Sequence, residues 1–174
     1  MNIVIYTAYG EEIILNNKVE EILNAQINKE FYSAYLYIAM SAYFDECGLK
    51  GFAHWTKVQA QEEIEHGLTI FDYIIERDWN INLTPIEAPV KDFHNPLQIF
   101  EMILSHEKKV TDSIESVANM SENECDRATR EFIDKYIKEQ VEEESQVLDI
   151  IKTIKMFGND NSILYHIDKE LSKR

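Results

Sequence analysis

The sequence is poor in residues that break helices: five glycines and three prolines in 174 positions. Long stretches contain neither, which argues against a turn-rich β fold and favours helices. Cysteine is scarcer still, with Cys47 and Cys125 alone. They form no CxxC pair, so they offer neither a zinc knuckle nor a redox dithiol. Two isolated thiols suit a reducing compartment, and a cytoplasmic location is expected. No apolar run approaches the roughly 20 residues of a membrane helix. The opening "MNIVIYTAYG" lacks the basic and long apolar regions of a secretory signal. Cationic residues are few, 17 Lys and Arg against 32 Asp and Glu, for a formal net charge of −15. Such a chain repels nucleic-acid phosphate and anionic lipid and attracts cations. Neither nucleic acid nor membrane is expected as a partner.

What is present is apolar periodicity. Val19, Ile22, Leu23, Ile27, Ala34, Tyr37 and Ile38 trace one helical stripe. It ends at "DECGLKG" (45–51), where two glycines are expected to stop the helix. The spacing predicts helices over about 16–44, 52–79, 96–119, 122–157 and 162–172. The first two run to about 28 residues, or ~40 Å. "NINLTPIEAPVKDFHN" (80–95) has two prolines and no helical pattern, and reads as an extended crossover. Asn95-Pro96 is a start signal for the third helix. "SENE" (121–124) has the spacing of a capping box, Ser121 with Glu124, ahead of the fourth. Gly158 is expected to end that helix. Short loops inside each helix pair and one long connection between pairs specify an all-α four-helix bundle of the ferritin-like arrangement, with a short fifth helix at the C-terminus. Residues 1–14 form an extension ahead of the 15–174 domain. Ile3 and Ile5 alternate with Asn2, Val4 and Tyr6 in strand fashion, and an extra outer-surface arm or an upstream start choice, rather than a specific function, is expected.

Acids interrupt the apolar rows. Glu30 lies in the row Leu23, Ile27, Ala34, Tyr37. Glu63 and His66 share one face, one turn apart, with Ile70 continuing it. Glu107 interrupts Phe100, Ile103, Val110, Ile114, and Gln140 with Glu143 interrupts Tyr136, Val147, Ile150, Ile154. Buried unpaired carboxylates cost several kcal/mol each, of that order. The core-facing rows supply no Lys or Arg near them, so a metal cation is the natural counterion. Carboxylates with one imidazole suit Fe(II), Mn(II) or Zn(II), and a glutamate bridging two metals fits a site with more carboxylates than imidazoles. His54, His94, His106 and His166 lie off these rows and read as surface or hydrogen-bonded residues.

At "LNAQINKEFYSAYLY" (23–37), "AQEEIEHGLTIFDYI" (60–74), "SHEKKV" (105–110), "KEQVEEE" (138–144) and "HIDKEL" (166–171) the chain resembles the bacterial non-haem ferritins. The resemblance spans about Leu15 to Leu171. It implies an iron-storage protein with a ferroxidase di-iron centre in each subunit and a hollow cage of twenty-four copies. It implies Glu30, Glu63 and His66 as ligands of the first iron, with Glu63 bridging. Glu107 and Glu143 are implied as ligands of the second iron, with Gln140 nearby. Tyr37 would sit beside the centre as an electron or hydrogen-bond donor. Glu62, Glu139 and Glu142, with Glu143, would form a third, looser iron site. Dioxygen or hydrogen peroxide is the implied oxidant, and the fifth helix would pack at the four-fold axes.

Two departures from the related bacterioferritins carry meaning. Ile64 stands where those proteins place a haem-binding Met, so haem is not expected. Gln140-x-x-Glu143 replaces their second Glu-x-x-His, which implies a less permanently held second iron. A rubrerythrin-like peroxidase would add a four-cysteine iron domain, which two cysteines cannot build. A bundle with no chemistry would carry these acids on its surface.

Overall fold

The long runs without glycine or proline fold as four long helices and a short fifth. A computed structural model describes residues 4–6, 12–14, 17–157 and 161–173. The helices are α1 (Asn17–Glu46), α2 (Lys50–Glu76), α3 (Pro96–Asn123), α4 (Arg127–Phe157) and α5 (Asn161–Leu171). Two short strands precede them, β1 (Val4–Tyr6) and β2 (Glu12–Ile14), paired antiparallel with Ile5 opposite Ile13. The strand-like alternation thus finds its partner within the same segment. Asn2, Ile3, Leu15, Asn16 and Gly158 lie outside the described residues.

The helix pairs are antiparallel. The start of α1 meets the residues after α2, where Asn24 Nδ2 donates to the Asn80 carbonyl at 2.9 Å. The end of α1 meets the start of α2, where Ser41 Oγ donates to the Ala53 carbonyl at 2.8 Å. The crossover is held against α1 by side chains one turn apart. Asn24 Oδ1 accepts from Asn82 N at 2.6 Å and Asn28 Nδ2 donates to the Thr84 carbonyl at 2.8 Å. A chain without its own ladder satisfies its backbone groups on asparagines.

Several element ends differ from expectation. Ser121 does not cap α4: it is fully buried inside α3 and its hydroxyl donates to the Val117 carbonyl. Asp126 takes that role, accepting from Thr129 N at 3.1 Å and from Thr129 Oγ1 at 2.8 Å. Its two oxygens also accept from both terminal nitrogens of Arg77, each at 3.0 Å. Burial would raise the Asp126 pKa, and the Arg77 and Thr129 bonds nevertheless hold it below its ordinary value. α2 ends at Glu76 rather than Trp79, because Asp78 turns to φ 55°. Trp79 then lies under the Arg77 guanidinium, 4.3 Å from its ring centre. Asp126→Ala removes both the cap and the ion pair across the bundle end. The expected cost is about 2–3 kcal/mol, read as a lower urea midpoint with unchanged m-value.

Gly51 is not a helix stop either. It lies in the first turn of α2, and a Cβ there would collide with the Asp168 carbonyl of α5. Asp168 Oδ1 accepts from Gly51 N at 2.6 Å and Phe52 N at 3.1 Å, capping α2 from another helix. Leu49, at the α2 cap position, makes no side-chain cap bond.

The core has two apolar halves. One packs Phe44, Phe52, Trp55 and Phe100 with Ile167 of α5, and the other packs Leu23, Ile27, Ile70, Ile114 and Ile133. Ile38, expected on the core stripe, is 48% exposed, because Tyr37 and Met40 take the inward positions. Between the halves sits a buried polar layer.

Candidate metal centre

Each long helix contributes to this layer near its midpoint: Glu30 from α1, Gln59 and Glu63 from α2, Glu107 from α3 and Gln140 from α4, all buried. The i, i+4 geometry that builds the apolar rows carries these groups inward with them. Ligand atoms of Glu30, Glu63 and His66 lie within 4.8 Å of one another, and no other such group is found among the described residues. His66 Nδ1 approaches Glu63 Oε2 at 3.6 Å.

Beside this cluster, Glu107 is fully buried, with Tyr37 donating its hydroxyl proton to Oε1. Gln140 Nε2 donates to Glu107 Oε2 at 3.1 Å. The amide nitrogen of Gln140 is therefore turned to a carboxylate, an orientation assigned from the hydrogen-bond pattern. Tyr37 itself is packed edge-on against Trp55, ring centres 6.4 Å apart.

Two residues absent from the sequence reading complete the layer. Gln26 Nε2 donates to Glu30 Oε1 at 2.7 Å, and Gln59 Nε2 donates to Glu143 Oε2 at 2.8 Å. Gln26 and Gln59 each lie four positions before a core-row glutamate, Glu30 and Glu63, and that spacing was the available signal. Three carboxylates, Glu30, Glu107 and Glu143, thus each accept from a glutamine amide. Glu63 differs: its Oε2 is buried with no hydrogen-bond partner. An orphaned buried carboxylate oxygen, facing an imidazole and other acids, is the donor set a divalent cation completes.

The proposed third-site residues stand apart. Glu62 is half-buried, while Glu139 and Glu142 are exposed. Glu139 Oε2 lies 3.5 Å from His66 Nε2, so it faces the side of the imidazole away from Glu63. His106 is half-buried, hydrogen-bonded to Ser33 Oγ at 2.8 Å. Burial and then Lys109 push its pKa down to about 4.

The layer stores unfavourable charge. Burial, then the Glu63 charge, raise the Glu30 pKa well above its ordinary value. Burial and then Glu107 raise Glu63 to about 8. Burial raises Glu107 to about 7, although Tyr37 and Gln140 oppose it. Unfolded, each of these groups titrates near 4.5. Between that pH and 7–8 the folded chain holds more protons than the unfolded one, so stability falls as pH rises through this window. Metal-free protein should therefore have a higher Tm at pH 5 than at pH 8, and a bound divalent cation should restore most of the difference at pH 8. Differential scanning calorimetry at the two pH values, with and without Zn(II), checks this.

Residues 20–157 match the family model of the ferritin-like domain. The chain is 35% identical over 161 residues to the bacterial non-heme ferritin of Bacteroides fragilis, covering 92% of this chain and 100% of that one. It is 37% identical over 161 residues to that of Staphylococcus saprophyticus, covering 92% and 96%. Among solved structures, the open pore ferritin of the archaeon Archaeoglobus fulgidus superposes with a TM-score of 0.90 at 44% identity, over 92% of this chain and 98% of that one.

Proposed function

Since the chain belongs to the ferritin family, we propose that it stores iron, oxidising Fe(II) to Fe(III) in the carboxylate layer and depositing it as ferric oxide inside a cage of twenty-four copies. The observation that carries this reading is the Glu30–Glu63–His66 cluster, its two glutamates buried and its imidazole half-buried, in which Glu63 Oε2 has no hydrogen-bond partner. Iron is the substrate and cargo.

Glu30 and His66 hold the first Fe(II), Glu107 and Glu143 the second, and Glu63 spans the two, with Gln140 alongside. Two metals held at fixed separation make a two-electron step available, and hard carboxylate oxygens stabilise the higher charge of the product. Each iron gives one electron. With two protons, the pair reduces dioxygen to hydrogen peroxide, or hydrogen peroxide to two waters. At neutral pH the raised pKa values keep protons on this layer, and metal binding displaces them. Tyr37 donates an electron or holds Glu107 as a ligand, and its hydrogen bond to that carboxylate supports the second role. Glu62, Glu139 and Glu142 form a looser third site on the way to the cavity, and Glu139, beside His66, is its nearest member. Ile64 offers no ligand to haem iron, and no haem is expected. A reducing cytoplasm suits the two free, exposed cysteines. No helix among the described residues is long and apolar enough to cross a membrane.

The test adds Fe(II) in air to metal-free protein. A fast rise in ferric absorbance should saturate at two irons per subunit, followed by slow growth to hundreds of irons per particle of cage mass. A rate no faster than iron in buffer, on a monomer or dimer, would overturn the proposal and favour a bundle without chemistry.

A further inference from the structure

Glu30 is tied to the outside of the bundle. Its donor, Gln26, is fully buried and receives a hydrogen bond at Oε1 from the Ser113 hydroxyl of α3. Ser113 Oγ in turn accepts from Lys29 Nζ at 2.5 Å. Lys29 is exposed and lines the groove between α1 and α3 beneath Pro85 of the crossover.

The direction of this chain follows from donor chemistry. An ammonium only donates, so Ser113 accepts there and its single proton goes to Gln26 Oε1. Gln26 Oε1 is then an acceptor, and its NH2 faces Glu30. We infer that Lys29 and Ser113 are positioning residues for the first metal site: through Gln26 they lock the amide that orients Glu30 as a ligand. This rests on the metal-centre reading above. Without Lys29, Ser113 can rotate its proton away and the Gln26 amide can reverse, turning a carbonyl oxygen toward the Glu30 carboxylate.

The role has a distinctive sign. By Coulomb attraction alone, removing a lysine near a cation site tightens cation binding. Loss of a positioning group weakens it, and outer-shell partners of metal ligands are typically worth about 10–100-fold in affinity.

The experiment titrates metal-free, assembled protein with Co(II), followed by calorimetry and by visible ligand-field absorption. Wild type should show two binding steps per subunit, one of which Glu30→Ala removes. Lys29→Met, a surface change, and Ser113→Ala should each weaken that step by about 10–100-fold and leave the other unchanged. Ser113→Thr, which keeps the hydroxyl, should bind as wild type does. Unchanged or tighter binding in Lys29→Met, equal weakening of both steps, or failure of Ser113→Thr to match wild type would each overturn the inference. If wild type bound no Co(II), the metal-centre reading itself would fall, and this inference with it.

Discussion

Glu63→Ala should abolish rapid Fe(II) oxidation while leaving the cage assembled. Of the carboxylates that line the layer, Glu63 is the one with an orphaned buried oxygen, and it meets both His66 and the charges of Glu107 and Glu143. Removing it separates the proposed iron sites. Loss of outer-shell partners costs about 10–100-fold, so loss of the bridge itself should cost at least about 100-fold in initial rate. Folding should survive, because the truncated group is a buried acid whose ionisation opposes folding above pH 5. The fall in Tm between pH 5 and pH 8 should accordingly be smaller in this variant than in wild type. Glu63→Gln keeps the side-chain volume and removes the charge, so it separates loss of a ligand from loss of packing. Both variants should be slow in stopped-flow measurements of ferric absorbance and normal in size-exclusion mass. A wild-type rate in either would remove Glu63 from the bridging role.

The second large effect is expected at Gly51, on stability rather than chemistry. An alanine Cβ there meets the backbone carbonyl of Asp168, which cannot yield like a flexible side-chain tip. To make room, α5 must retreat. That breaks the bonds of Asp168 to Gly51 N and Phe52 N and draws Ile167 out of the aromatic half of the core. Overpacking of this kind together with two lost charge-assisted bonds should cost about 3–5 kcal/mol. Gly48→Ala is the control. Gly48 has φ +76° and open space around it, so alanine meets only backbone strain, about 1–2 kcal/mol. Urea denaturation of the two variants separates the effects. Gly51 lies twelve residues from Glu63, or about 18 Å along α2. Iron oxidation per folded subunit should therefore stay at the wild-type rate in Gly51→Ala. A wild-type midpoint in Gly51→Ala would show that the α5 contact contributes nothing.

Both predictions turn on facts of different legibility. The helices, their pairing and the crossover were readable because apolar periodicity is a property of one helix at a time. The same periodicity exposed Glu30, Glu63, Glu107 and Gln140 as interruptions of buried rows, and their mid-helix positions brought them to one level. Turn chemistry misled at "SENE". A capping box is a four-residue pattern, and burial of Ser121 with the pull of Arg77 on Asp126 moved the cap five residues on. Gly51 looked like a helix stop because the helix that crowds it lies 117 residues away.

What the sequence by itself determined is therefore the bundle and the identity of the acids it buries. Which acid keeps a buried oxygen without a hydrogen-bond partner, and which glutamine serves which glutamate, was decided by tertiary structure. Two of these contacts show why. The Gln26–Glu30 bond lies within α1, and its spacing was visible. The Gln59–Glu143 and Lys29–Ser113 bonds each cross 84 residues, and they exist only at one axial register between helices. That register is set by packing of the two apolar halves on either side.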